Sequence, residues 1–180
     1  MIVTLIVAGE VGFWVVLALA LAARYLLGWR TVSTVLLLGL PLIDLVILVL
    51  TVLDLRHGTV ASWTHGLAAS YVGFSVAYGH YLVGWADAHV QHRFAGGPKP
   101  AGAPKYGSAR AVHEWKIFAR TTLAAAITVT LIAAMTWLVD DPAQTAALGV
   151  WYQRMGLVLA ISLVIAGSYT VFPKKARVDR

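Results

Sequence analysis

The sequence has no cysteine and few charged residues. Asp, Glu, Lys and Arg make up only 12% of the 180 residues, whereas 59% are hydrophobic. In a soluble domain about a quarter of the residues are charged, because its core must be covered by a polar surface. The scarcity of charge therefore excludes an ordinary soluble domain. The absence of cysteine excludes disulfide bonds, thiolate metal ligands and cysteine nucleophiles.

Signatures of nucleic acid binding and of common soluble enzymes are also missing. Lys and Arg outnumber Asp and Glu by 14 to 8, but no zinc-finger, RNA-recognition or helix-turn-helix pattern accompanies them. We therefore expect no nucleic acid partner. No phosphate-binding P-loop, GxSxG elbow or HExxH motif occurs either.

Five long apolar segments dominate what is present. A bilayer core about 30 Å thick requires about 20 apolar residues of helix, since all backbone polar groups must bond internally. The predicted spans cover about residues 2–27, 32–55, 60–85, 117–139 and 147–172. The predicted fold is all-α, a polytopic membrane helix bundle with five transmembrane helices in one domain over 1–180. Because the first segment lacks the basic region of a signal peptide, we expect it to be retained.

The basic residues predict the orientation of the bundle, because they concentrate on the cytoplasmic side of membrane proteins. With five spans, every Lys and Arg except Arg56 and Arg154 falls on one side. The prediction is an N-terminus outside and a C-terminus inside, in the cytoplasmic membrane of a bacterium. Most tryptophans lie near the predicted span ends, whereas Trp14 lies deep in the first span.

Residues 86–114 form the long cytoplasmic loop of this prediction. Its centre, 96–107, is too rich in Pro and Gly for a helix or strand, so we expect it to be extended. The flanks 86–94 and 108–115 could continue the neighbouring helices. Basic residues near the bilayer are attracted to anionic lipid headgroups. Those expected to make such contacts are Arg93, Lys99, Lys105 and Arg110.

Ionisable residues inside the spans are candidate functional residues, because a charge at mid-bilayer costs roughly 2.5 to 3.5 kcal/mol without a partner. Glu10 and Asp44 fall at similar predicted depths on the first two helices. Asp44 either belongs to an ion site or makes a structural bond to a neighbouring Ser, Thr or Tyr in a kinked helix. Arg154 is level with both carboxylates if the last helix begins near Ala146, which would form a buried charged triad. If 155–172 spans alone, Arg154 instead reaches the headgroup interface.

The third predicted span is the most polar. His65 lies near an outer cluster formed by Asp54, Arg56 and His57. A histidine near carboxylates titrates around neutral pH, so this group predicts either a pH-sensing or proton-relay role or a structural hydrogen bond. Tyr71 belongs either to a polar path through the membrane or to hydrogen bonds within the bundle.

Small residues recur every four positions along the same span, at Ala69, Gly73 and Ala77. Such a stripe allows close approach of another helix. It predicts either a central helix or a homo-oligomer that forms through helix 3.

Histidines and carboxylates gather near the predicted cytoplasmic ends of helices 3 and 4. His89 and His92 share a helix face, which suits two ligands of one metal ion. A solvated surface is the alternative, and we expect no cofactor. Haem is not expected, because the two histidines within the spans lie on one helix about 22 Å apart. The candidate metal set is His80, Asp87, His89, His92, His113 and Glu114.

Several short motifs carry a resemblance. They are GGPKP at 96–100, PKYG at 104–107, the run 41–44, DLRHG at 54–58 and SYTVFPKK at 168–175. With these motifs along most of its length, the chain resembles a family of small, uncharacterised bacterial integral membrane proteins. The resemblance implies a bacterial membrane protein and implies no activity or catalytic residue.

Three classes of function remain open. The first is a small homo-oligomeric channel or ion-coupled transporter, whose polar path would use Glu10, Asp44, His65, Tyr71 and Arg154. The second is a non-catalytic accessory subunit that binds a partner. The third is a membrane enzyme that acts on a lipid with the cytoplasmic histidine cluster.

Overall fold

The computed structural model describes residues 2–94 and 96–173, except for the side chains at positions 2, 3, 5, 6, 10 and 94. These residues form helices and connections without any strand. The helices are α1 (Ile2–Tyr25), α2 (Arg30–Arg56), α3 (Trp63–Phe94), α4 (Gly107–Val139), α5 (Pro142–Thr145) and α6 (Gly149–Val171), with a 3₁₀ turn at Ala146–Leu148. The predicted all-α class is confirmed.

Four segments are long and apolar enough to cross a membrane. They are Val7–Tyr25, Arg30–Arg56, Gly107–Val139 and Pro142–Val171. They correspond to α1, α2, α4 and the unit from α5 to α6. The helix α3 is also long, with 32 residues. Its many hydroxyl and imidazole groups make it more polar than these four segments, so it is not one of them.

The boundaries of two connections differ from the expected ones. The helix α3 continues to Phe94 and α4 begins at Gly107, so the connection between them is shorter than the expected loop at 86–114. Between α4 and α6, Asp140 adopts a left-handed conformation (φ 53°) and ends α4. The Asp141 carboxylate then accepts hydrogen bonds from the backbone of Ala143 and Gln144, which caps α5. The last apolar segment therefore runs from Pro142 to Val171, and its long helix α6 begins at Gly149, close to the expected residue 147.

Close packing of small residues joins α3 to α4 and α6. A Cβ atom added at Gly73 would lie 2.5 Å from the Ala124 carbonyl oxygen and from Thr128 Oγ1. At Gly66, a Cβ atom would collide with the indole ring of Trp151, whose Nε1 donates a hydrogen bond to the Trp63 carbonyl at 3.1 Å. Gly73, the middle residue of the stripe of small residues, therefore packs closely against α4 of the same chain.

The bundle has two polar ends. The first carries the connections at 26–29 and 96–106, and we call it the basic end. The opposite end carries the connections 57–62 and 140–148, where the Ala61 backbone N–H donates to the Gln144 carbonyl at 2.8 Å. Between the ends, α1 packs on α2, α3 on α4, and α4 on α6.

Candidate intramembrane site

The carboxylate of Asp44 is buried in the middle of α2. Its residue is only 7% exposed, and it lies about 21 Å from the start of the helix and about 18 Å from its end. Ser75 Oγ of α3 donates a long hydrogen bond to its Oδ2 at 3.5 Å. At that distance the bond is weak, so most of the hydrogen-bonding capacity of this carboxylate remains free among the described side chains.

A groove of about 550 Å³ opens beside this carboxylate. Asp44 and Ile47 form its floor on α2, because residues three apart share a helix face. One wall comes from α1 and the other from α3. The lining residues are Phe13, Trp14, Leu17, Asp44, Ile47, Thr64, Leu67, Ala68, Tyr71 and Ser75. The groove is therefore apolar apart from one carboxylate and three hydroxyl groups.

The side chains of Trp14 and Tyr71 mark the open side of the groove. They are 67% and 57% exposed, whereas Asp44 on the floor is buried. Tyr71 thus lies in the same site as Asp44, as the polar-path hypothesis requires. Tyr78, one heptad further along α3, is half-buried instead, and its hydroxyl contacts Thr121 Oγ1 at 2.6 Å.

Sequence reasoning missed the wall formed by α1. Phe13 and Leu17 are four residues apart and share a face, but nothing in the sequence shows that this face lies opposite α3. The α3 wall carried a clearer signal, because Thr64, Ala68, Tyr71 and Ser75 follow the 4-3-4 spacing of one helix face.

The predicted charged triad is not assembled by the described side chains. Arg154 is exposed on α6, and its guanidinium lies 5.1 Å from the ring centroid of Trp151. Arg154 is not among the described residues that line the groove. Glu10 belongs to α1, but its side chain lies outside the described ones. The structure therefore brings Asp44 and Tyr71 together and leaves Arg154 elsewhere.

His65 lies in the first turn of α3 and bonds to the residue before the helix. Its Nδ1 accepts a hydrogen bond from the Ser62 backbone N–H at 2.7 Å. In the outer cluster, Asp54 is buried whereas Arg56 and His57 are exposed, and the His57 ring contacts the Leu53 carbonyl at 2.6 Å. His65 is thus held by a local hydrogen bond near the groove rather than within its lining.

The expected metal set is dispersed. Among the described residues, no three His, Asp or Glu side chains converge closely enough to hold a metal ion. His89 and His92 are exposed, and each Nδ1 contacts a backbone carbonyl, at Trp85 (2.7 Å) and Gly97 (2.9 Å). His80 is exposed and His113 is half-buried. In the described part of the chain, the histidines therefore do not form the metal centre that the lipid-enzyme hypothesis would use.

The two carboxylates of that set form ion pairs at the basic end. Asp87 pairs with Arg24 of α1 and accepts a hydrogen bond from Tyr25 Oη at 3.1 Å. The bonds from Arg24 hold the pKa of Asp87 below its ordinary value, against the opposing effect of partial burial. Glu114 pairs with Arg110 one turn earlier on α4.

The basic residues expected at lipid headgroups differ in exposure. Arg93, Lys99 and Lys105 are exposed at the basic end. Arg110 is half-buried, and its guanidinium lies 4.8 Å from the ring centroid of Tyr169 besides its bond to Glu114. Three of the four thus remain open to headgroups, whereas Arg110 joins α4 to α6.

A relative from Bacillus subtilis (strain 168), the uncharacterized membrane protein YmcC, is 36% identical to this chain over 174 residues. The match covers 96% of this chain and 93% of the relative. The chain belongs to the YmcC family. No family model matches it, and no solved structure matches it. Together with the four apolar spans, membership of the YmcC family identifies a multi-pass bacterial membrane protein.

Proposed function

We propose that this protein binds a cation at Asp44 within the cytoplasmic membrane and moves it across, as a small ion- or proton-coupled transporter or channel. The observation that carries the proposal is the buried carboxylate at the middle of α2, with one weak bond from Ser75. A carboxylate in such surroundings is costly unless it binds a proton or a cation. A carboxylate inside the membrane that faces other helices is therefore a candidate for an ion pathway.

The proposal includes five spans, with α3 crossing the membrane. From Trp63 to Trp85, α3 rises about 33 Å, which matches a bilayer core of about 30 Å. Contacts at both ends support the crossing. Trp63 meets Trp151 at the opposite end of the bundle, and Asp87 meets Arg24 at the basic end. The basic end faces the cytoplasm in this proposal.

Flux measurements test the transport role. The protein in liposomes should dissipate an imposed gradient of protons, Na⁺ or K⁺, and Asp44→Asn should abolish this flux. Asp54→Asn is the matched control, because Asp54 is a second buried carboxylate of α2 that does not line the groove. Equal loss in both variants, or no wild-type flux of any of these ions, would overturn the proposal.

A second candidate is a non-catalytic accessory subunit or a homo-oligomer that uses α1. Trp14 is 67% exposed in the middle of α1, and the main packing partner of α1 is α2. A large indole ring at mid-depth on a free helix face favours contact with another helix. A photo-crosslinker placed at Val15 should then capture a second copy or another protein in membranes, whereas one at Val164 on α6, which is also exposed, should not.

A further inference from the structure

We propose that the occupant of the groove is an amphiphile, an apolar molecule with one positive charge such as an amine or onium group, which enters sideways from the lipid. This inference rests on the proposed function, since it names the class of cation that Asp44 binds. It adds the apolar body of the ligand and its route into the site.

The carboxylate of Asp44 at the floor of the groove favours a positively charged group. Asp44 is the acidic side chain among the described lining residues, and an ammonium or onium centre would pair with it. The neighbouring polar groups are the hydroxyls of Ser75, Tyr71 and Thr64. A dehydrated Mg²⁺ or Ca²⁺ ion takes about six to eight oxygen ligands. One carboxylate and scattered hydroxyls do not provide that number.

The apolar walls of the groove favour a ligand whose main part is apolar. Phe13, Leu17, Ile47 and Leu67 surround the carboxylate, and a small hydrated ion would leave these walls in contact with water at an unfavourable free energy. The volume of about 550 Å³ lies in the range of about 300 to 1,000 Å³ that is typical of small-molecule sites. A ligand of that size buries its own apolar surface against the walls.

The open side of the groove indicates the route. Trp14 and Tyr71 are mostly exposed on the flank of the bundle, whereas Asp44 is buried. The α3 wall extends from Thr64 to Ser75, about 16 Å along the helix axis, so the groove follows the membrane-embedded part of α3. Aromatic rings at the mouth attract a cation over their faces. A cationic amphiphile dissolved in the bilayer therefore meets two aromatic rings before it reaches the carboxylate.

Equilibrium binding of tetraphenylphosphonium to the full chain in lipid nanodiscs tests the inference. Tetraphenylborate has nearly the same shape and the opposite charge, so it reports binding that depends on apolar surface alone. We expect saturable binding of the cation and none of the anion. Asp44→Asn should weaken the affinity about tenfold or more, which corresponds to about 1.4 kcal/mol, and Asp54→Asn should leave it unchanged.

A second variant keeps the test decisive if Asp44→Asn fails to fold. Ala68→Leu fills the groove while the charge of Asp44 remains, and it should also weaken binding about tenfold, which again corresponds to about 1.4 kcal/mol. Ala133→Leu on the exposed face of α4 is its control and should bind normally. Equal binding of both ions, or full affinity in Ala68→Leu, would overturn the inference.

Flux and binding together separate the two proposals. Ion flux that depends on Asp44 without binding of tetraphenylphosphonium refutes the amphiphile and retains the transport proposal. Binding that depends on Asp44 without flux of any ion or of the probe retains the amphiphile site and refutes transport.

Discussion

Arg24, in the last turn of α1, forms a two-point ion pair with Asp87 of α3, although the two residues are 63 positions apart in the sequence. Its Nε and one terminal nitrogen each donate to a different carboxylate oxygen. The hydroxyl of Tyr25 adds a third bond. A planar guanidinium and a carboxylate match best in this arrangement. The contact ties the end of α1 to α3 at the basic end.

Removal of this pair should lower stability in a pH-dependent way. We expect Asp87→Asn to cost about 1 kcal/mol at pH 7, or about 2 to 4 °C in melting temperature for a chain of this size. Because the pKa of Asp87 is lowered in the folded protein, its contribution is complete above the ordinary pKa of about 4 and disappears as the pH falls through the folded value. Thermal unfolding in detergent between pH 3 and pH 8 measures this, and a constant difference over the whole range would contradict it.

A methyl group at Gly73 should separate α3 from α4. Because the added Cβ would lie 2.5 Å from two oxygen atoms of α4, Gly73→Ala should cost about 1 to 3 kcal/mol through overpacking. Gly84→Ala lies on the same helix with open space around it, and should be neutral or slightly stabilising. Melting temperatures of the two variants provide the comparison. Similar values for both would show that the close approach is absent.

The two tyrosines of α3 should respond differently to loss of the hydroxyl. Tyr78→Phe removes the contact with Thr121 and should cost about 1 kcal/mol. Tyr71→Phe should leave stability unchanged, because Tyr71 is mostly exposed at the mouth of the groove. Chemical unfolding of both variants in the same detergent checks the difference. A larger loss in Tyr71→Phe would place its hydroxyl in the packed bundle.

The absence of cysteine makes the topology directly measurable. Single cysteines at Thr59, Lys99 and Asp140 place a thiol in three different connections. With five spans and the basic end inside, a membrane-impermeant maleimide should label Thr59→Cys and Asp140→Cys in intact cells, and Lys99→Cys only after permeabilisation. Labelling of Thr59→Cys and Lys99→Cys under the same condition would mean that α3 does not cross the membrane.

The position of the second helix followed closely from local sequence, whereas contacts between helices did not. Residues 32–55 were predicted for the second helix, and the structure has Arg30–Arg56. The depth of Arg154 depended on where the last helix starts, and Asp141 followed by Pro142 is a typical helix start. The Asp-Pro pair therefore predicts where the last apolar segment begins. The guanidinium of Arg154 lies beside Trp151, and Trp151 packs against Gly66 of a distant helix. Local sequence does not show this contact.

For the site, the sequence identified the polar residues but not the apolar ones. Asp44 and Tyr71 attracted notice because polar groups are costly in lipid. Phe13 and Leu17 look like any other lipid-facing residues, and their role comes from the opposing helix. The partner of Asp87 was equally hidden, because Arg24 belongs to another helix. The pairing of Glu114 with Arg110 could have been predicted, because residues four apart on a helix face each other.

The indole ring of Trp151 fills the space beside Gly66 and bonds to Trp63, so the first turns of α3 are supported from the α6 side. The other wall of the groove belongs to α1, which packs mainly on α2. We therefore expect a tilt of α1, rather than of α3, to accompany any widening of the groove. The bond between Arg24 and Asp87 lies at the far end of α1 and would act as the pivot of that tilt.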